Sequence, residues 1–445
     1  MIRFRRVDRE AALAMLFGAL AVAGLAFLFF AGGDDPSSEN GPFTGPAGVT
    51  GEIVARDRIL SSGGYNTFAG AWIMPRSGAV ATAFVNVKGP AAPPCESVDV
   101  PRGCSNRGFR GADHHVVVLE STDNGQTWSR AFADERVTNA PPHAYSGQPY
   151  FGLRADGDAT PPGTLLRRVN GEDISTRVRG IPRTAYLQRR APGDKRWTGM
   201  QVLLDAARYT YNLSRVKRLS DGRTLVATGG FWPLKAGTRL AMRPQDVPPA
   251  EWLLMTSTDE GITWHNAMSV PRASKLAAPA NEWDVAELPG GDLLAVMRTR
   301  HKGRPARKQV VLERTSDTIT TNTGERSDGG WVMGMPILTT DDFAQIRSPQ
   351  HPELLNIDHG PAAGGILHVA DEAIHYTADG GVSWSRVSFP SDWTPHYYPN
   401  SVQAAGGNIY VFSHAGSDEN YTTGADKPVY VDIIRLVPDR DAQPL

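Results

Sequence analysis

The chain is short of cysteine, lacks an excess of charge of either sign, and has only one long hydrophobic run. Two cysteines in 445 residues cannot build a disulfide scaffold or a four-thiolate metal site. Forty-six Lys and Arg against 47 Asp and Glu leave a formal charge of -1, too balanced to neutralise a phosphate backbone, which argues against a nucleic-acid partner. Walker A, GxGxxG, GxSxG and HExxH patterns are all missing, so the sequence calls for no cofactor and no metal. His114, His115 and His351 read as ordinary rim histidines. Amphipathic helical stretches are missing too. Instead, 46 glycines and 33 prolines fit a fold with many tight turns, and short apolar runs such as HVVVL, WLLM, DLLAV and VYVDII recur between turn residues. The body of the chain is expected to be all-β.

The single long apolar run is Ala11 to Ala31, which carries no charge and is long enough to cross a bilayer core as a helix of about 20 residues. Arg3, Arg5, Arg6 and Arg9 precede it and Asp34 and Asp35 follow it; basic flanks stay cytoplasmic. The segment reads as a signal anchor at residues 11–33 behind a cytoplasmic basic stretch at 1–10, with a cleaved signal peptide as the competing reading. Residues 34–50, polar and rich in Gly, Pro and Ser, read as a flexible linker. The remainder is placed outside the cytoplasm, periplasmic or at the cell surface. There Cys95 and Cys104, nine apart, either close a small disulfide or stay as two thiols.

The chain repeats itself. Residues 121 to 128 read STDNGQTW, 257 to 264 read STDEGITW and 377 to 384 read TADGGVSW, with weaker copies ending at Trp197 and Trp331. The five tryptophans are spaced 69, 67, 67 and 53 apart. Turn glycines before apolar strands recur at Gly78, Gly157, Gly222, Gly291, Gly365 and Gly407, which implies six units. In each eight-residue pattern the aspartate (Asp123, Asp259, Asp379) can hold the turn's own amides and the glycine (Gly125, Gly261, Gly381) takes φ > 0. The tryptophan (Trp128, Trp264, Trp384) is expected to pack into the next unit. Small antiparallel sheets repeated radially close into a propeller. The last strand-like run, Val429 to Leu436, has no such turn after it, so Glu52 to Leu60 is expected to return and pair beside it. This predicts a six-bladed β-propeller at 51–438, with a tail at 439–445.

These turns resemble the Asp-boxes, or bacterial neuraminidase (BNR) repeats, of the sialidase superfamily, and the resemblance covers about residues 51 to 438. It implies a tyrosine nucleophile with a glutamate partner, an aspartic acid/base and three arginines that clamp the sugar's carboxylate. Asn281 to Arg298 (NEWDVAELPGGDLLAVMR) is similar to the sialidase strand pair, placing Glu282 as the glutamate and Arg298 as the second arginine. YPNSVQAAGGNIYV, from Tyr398, resembles the nucleophile strand. Asp113, eight residues before the first box, falls where the family keeps its acid/base.

Two departures follow. Phe68 and Ala69 occupy the place of the first arginine. The fifth unit, Ile366 to Thr377, has no room for the third, and holds acidic Asp371 and Glu372 nearby. These departures favour a membrane-anchored propeller that binds a glycan or a membrane-protein partner, as an accessory subunit with an incomplete sialidase site; some Asp-box propellers do serve as assembly factors. The alternative is a divergent retaining exo-glycosidase using Tyr398 and Glu282.

Overall fold

The computed structural model describes residues 48–61, 65–74, 77–88, 113–133, 135–137, 151–152, 165–171, 184–190, 198–202, 209–211, 216–232, 251–270, 282–301, 304–337, 351–415 and 427–439. The apolar run at 11–33, most of the linker, Cys95, Cys104, Trp197 and Gly157 lie outside them. Among the described residues, no helix is long and apolar enough to cross a membrane.

The fold is an all-β propeller, and its described strands assort into six hydrogen-bonded sheets. In chain order, sheet I holds Tyr65–Ile73, Val80–Lys88, Asp113–Ser121 and Ser129–Arg130, and sheet II runs from Phe151–Gly152 to Thr198–Val202. Sheet III is built on Tyr209–Tyr211, Leu225–Trp232, Glu251–Ser257 and His265–Asn266, with Lys217–Arg218 at its side. Sheet IV comprises Trp283–Glu287, Leu293–His301, Arg304–Thr320 and Arg326–Ile337, joined by Met268–Ser269. Sheet V holds Glu353–Asn356, Ile366–Val369, Ile374–Thr377 and Ser385–Arg386. Sheet VI holds Tyr397–Gln403, Ile409–His414 and Val429–Pro438, and takes its fourth strand from the other end of the chain, Val49–Ser61. That strand runs antiparallel to Val429–Pro438, pairing Glu52 with Arg435 and Ile59 with Tyr430. It begins two residues inside the segment read as linker, because Gly51 N–H bonds Ser388 O at 2.8 Å and Gly48 O accepts from Asp439 N–H at 3.1 Å. Successive sheets pack side by side, and VI packs against I.

Strand alternation explains how one sequence serves two neighbours. In Leu293–His301, Leu293, Ala295 and Met297 face the apolar layer shared with sheet III, while Leu294 and Val296 face the layer shared with sheet V. Strands buried on both faces read as continuous apolar runs, which is why LLAVM lacks polar residues.

The box turns have a common chemistry. Asn124 and Gly125 both carry positive φ (58° and 79°), as do Glu260 and Gly261 (60° and 76°) and Gly380 and Gly381 (71° and 92°); two left-handed central residues match the twist of a tight hairpin. Asp123 accepts from Ser121 Oγ at 2.8 Å and Thr127 N–H at 2.9 Å, while Gly125 N–H donates to Ser121 Oγ at 2.8 Å. Asp259 and Asp379 repeat this with Ser257 and Thr263, and with Thr377 and Ser383. Led by the Thr127 hydroxyl, these bonds hold the Asp123 carboxyl down at about 2.

Trp128 and Trp384 pack on the preceding sheet, not the next. Trp128 of sheet I meets Phe412 of sheet VI edge-on at 5.5 Å, and Trp384 of sheet V donates from Nε1 to Gln309 Oε1 of sheet IV at 2.9 Å. The box glycines lie on the same side: a Cβ at Gly125 would meet Ile433, and one at Gly381 would meet Gln309 and Leu294. The weak copy ending at Trp331 is not a box turn, because Asp328 sits within Arg326–Ile337, where it accepts from Thr318 Oγ1 at 3.1 Å. Trp331 is nonetheless buried in the layer between sheets III and IV.

Candidate functional site

Sheet order carries residues distant in sequence to one end of the ring, where the inner strands begin. Glu282 immediately precedes Trp283–Glu287, Glu353 opens Glu353–Asn356, and Tyr398 is second in Tyr397–Gln403. Glu282 and Tyr398 meet there: the phenol donates to Glu282 Oε1 at 3.4 Å. Arg298 Nη1 donates to the other carboxylate oxygen, and its N–H bonds Glu282 O at 2.9 Å. Glu282 is buried and Arg298 is partly so, which strengthens a charge-assisted bond.

The backbone at Tyr398 is unusual. Two residues, Tyr398 and Pro399, oppose only Ser413, since Tyr397 pairs with His414 and Asn400 with Phe412. This is a β-bulge, and Pro399 costs no ladder bond because the bulge removes the need for its N–H. Tyr398 takes φ +51°, a left-handed conformation that costs a bulky residue about 1–3 kcal/mol and survives only where its surroundings impose it. Tyr397 packs edge-on against the Tyr398 ring at 4.8 Å and His414 stacks parallel to it at 6.2 Å. Burial drives the His414 pKa down to about 3, with Lys427 and His396 lowering it further, so the ring is neutral and adds no charge beside the phenol.

A second arginine lies behind the first. Arg307 pairs with Arg298 across adjacent strands and is fully buried. Burial lowers its pKa to about 10, Glu282, Asp371 and Glu372 pull it back up, and Arg298 adds to the drop; at neutral pH it is a cation. Its Nε donates to His368 Nε2 at 3.3 Å. His368 is held well below its ordinary value by burial, then by Arg307 and His375, so it serves as a neutral acceptor. Sequence reasoning missed Arg307 because no motif surrounds it. The available signal was its cross-strand register with Arg298, three pairs in from His301 and Arg304.

Asp113 opens the third strand of sheet I, paired with Lys88 at the end where Tyr65 begins the inner strand. Its side chain lies outside the described residues. The place expected for a first arginine belongs to Tyr65–Ile73, whose buried polar residue is Asn66: it donates through Nδ2 to Lys427 O and accepts from Asn86 Nδ2, both at 2.7 Å. Among the described residues, no group of three or more His, Cys, Asp or Glu side chains could hold a metal ion.

The fold and the box turns define a sialidase-like Asp-box propeller. Residues 119–130, which contain the first box, match the BNR/Asp-box repeat family. No curated protein matches the chain. Among solved structures the chain is similar to the α-L-arabinofuranosidase Arb93A of Fusarium graminearum, at 13% identity and a TM-score of 0.50, covering 89% of this chain and 98% of that one. A complex of the GH93 α-L-arabinofuranosidase of the same fungus with arabinobiose aligns with 13% identity, a TM-score of 0.50, and 83% and 93% coverage. The intramolecular trans-sialidase of Ruminococcus gnavus aligns at 11% identity with a TM-score of 0.46, over 87% and 97% of the two chains. At these identities the likeness is one of fold.

Proposed function

We propose that the site is that of a retaining exo-glycosidase acting on a sugar without an anomeric carboxylate, carried on a six-bladed ring. The observation that supports this reading is the Tyr398–Glu282–Arg298 chain, with the tyrosine in a conformation that a merely structural aromatic would not need. In the first step the Tyr398 oxygen attacks the anomeric carbon, its proton passes to Glu282, and the bond to the leaving oxygen breaks. Asp113 is proposed to protonate that oxygen. In the second step a water deprotonated by Asp113 attacks the anomeric carbon, the glycosyl–tyrosine bond breaks, and the phenol recovers its proton from Glu282. Arg298 holds the Glu282 carboxylate in place beside the phenol.

Charge argues against a carboxylated sugar. Arg298 is engaged by Glu282, and Arg307 is buried and feels Glu282, Asp371 and Glu372. Neither arginine is placed as a spare partner for a substrate anion. The same acids give a reason for a phenol, since a carboxylate nucleophile would add one more anion to the mouth. The N-terminal sequence supports the further proposal that the propeller is tethered to a membrane on its extracytoplasmic side, where it meets glycans.

The test is turnover of fluorogenic glycosides, including α-L-arabinofuranoside and α-sialoside, by wild type, Tyr398→Phe and Glu282→Gln. Hydrolysis of a neutral glycoside that falls at least a hundredfold in both variants supports the reading. Turnover of the sialoside alone overturns the substrate class. No turnover of any glycoside, with partner capture unaffected by Tyr398→Phe, favours an accessory binding propeller instead.

A further inference from the structure

The bulge that carries Tyr398 is held at both ends by carboxylates from other elements. On its C-terminal side, Glu353 of sheet V accepts from Ser401 N–H at 3.1 Å, Ser401 Oγ at 3.2 Å and Asn400 Nδ2 at 3.4 Å. Glu353 is 2% exposed. On its N-terminal side, His396 Nε2 lies 2.8 Å from Asp57 Oδ1. Asp57 belongs to the strand that returns from the N-terminus to close sheet VI. Its strand is itself irregular there, with register shifts between Ala55 and Arg58 and φ +51° at Asp57. The Asp57 N–H donates to the buried Asp432 Oδ1 at 2.7 Å, and the His396 ring is fixed by stacking on Tyr430 at 4.1 Å.

We propose that Glu353 and Asp57 are positioning residues for the Tyr398 phenol, clamping the bulge from sheet V and, through His396, from the ring-closing strand. Closure of the ring and placement of the phenol are then one event. The energetics separate this role from a structural one. Asp57 and His396 are both more than one third exposed, and an exposed ion pair contributes little to stability. Holding the left-handed Tyr398, by contrast, needs constraint on both sides of it, because that conformation is disfavoured for any bulky residue. Asn400 and Ser401 sit two and three residues after Tyr398, and His396 two before it. In the Glu353→Gln variant, the side-chain NH2 group replaces one acceptor with a donor facing donors on the nucleophile strand.

The inference rests on the proposed reaction only for its kinetic consequence, so the experiment has two arms. In the first, protein labelled with ¹³Cζ-tyrosine is titrated by NMR, with Tyr398→Phe assigning the Tyr398 resonance. Asp57→Asn and Glu353→Gln are each expected to move that resonance and its titration midpoint, while Asp57→Asn leaves the melting temperature within about 2 °C of wild type. Asp57→Glu is expected to restore the resonance at least partly. In the second arm, on whichever glycoside the wild type hydrolyses, both variants are expected to lower kcat about tenfold with KM within twofold. Should Glu353→Gln fail to fold, Ser401→Ala removes one of the same bonds, that of the hydroxyl, and reads the same clamp. An unchanged Tyr398 resonance in folded Asp57→Asn and in folded Glu353→Gln or Ser401→Ala overturns the clamp. Failure of the wild type to hydrolyse any glycoside bears on the reaction alone, since the NMR arm needs no turnover.

Discussion

Removal of the Lys217 ammonium should be among the most damaging single changes available in the ring. Its Nζ lies 2.6 Å from Asp284 Oδ2 and also donates to Val285 O at 2.6 Å and Leu354 O at 2.9 Å. Leu354 N–H donates to the same carboxylate oxygen at 2.7 Å. One cation thus ties sheet III to IV and V, through a carboxylate two residues from Glu282. Asp284 is 1% exposed, so Lys217→Met would leave a buried carboxylate without its counter-ion, a change that costs about 3–5 kcal/mol. Two carbonyl acceptors lose a donor as well. Against a typical total of about 5–15 kcal/mol, the variant should unfold at visibly lower denaturant. Replacing both partners, Lys217→Met with Asp284→Leu, should recover part of the loss, because a buried pair exchanged for apolar groups is often close to neutral. Urea titrations followed by tryptophan fluorescence on the two single variants and the double variant give the coupling. A loss below about 1 kcal/mol in Lys217→Met, or strict additivity in the double variant, would refute the reasoning.

Asp259→Ala removes the acceptor of Ser257 Oγ, Ile262 N–H and Thr263 N–H and should cost about 1–3 kcal/mol; a denaturation midpoint equal to wild type would show that the box turn holds itself. Burial raises the Asp432 pKa to about 6, above its value of about 4 in an unfolded chain. A raised acid gives stability that is complete below pH 4 and lost as pH rises through about 6, here ~3 kcal/mol by linkage. The stability of wild type relative to Asp432→Asn should therefore fall between pH 4 and 6 and level off above; a flat difference across that window counts against it. Gly381→Ala should destabilise by about 1–3 kcal/mol, since φ is +92° and the added Cβ would lie 2.9 Å from Gln309 Oε1; unchanged thermal unfolding would contradict the turn geometry.

The repeat made the propeller legible because each box encodes its own geometry. Asp, Gly and the flanking Ser or Thr supply every partner the turn needs within eight residues, so local sequence suffices. Closure by the N-terminal strand was legible from a deficit, the missing fourth strand after Val429–Pro438. Glu282, Arg298 and Tyr398 were legible through strand-level resemblance, and they do converge. The direction in which the tryptophans pack was not legible, since it depends on how neighbouring sheets are turned and no local pattern records that. Arg307, Glu353 and the Lys217–Asp284 lock escaped for a related reason: each acts on a residue some 48 to 137 positions away, and partners at that distance leave no spacing to read. The left-handed Tyr398 was hidden as well. A bulge is set by register against Ile409–His414, and the tyrosine's own sequence, ahead of a proline, gives no sign of positive φ.

The most direct test of the account is to trap the covalent intermediate. Incubating the protein with 2-deoxy-2-fluoro glycosyl fluorides of neutral sugars slows breakdown of the glycosyl-enzyme more than its formation, and intact mass followed by peptide mapping locates the adduct. The account predicts one added glycosyl group, on the peptide containing Tyr398, and none on Tyr398→Phe. A glycosyl group on any other residue, or unimpaired turnover by Tyr398→Phe, would contradict it.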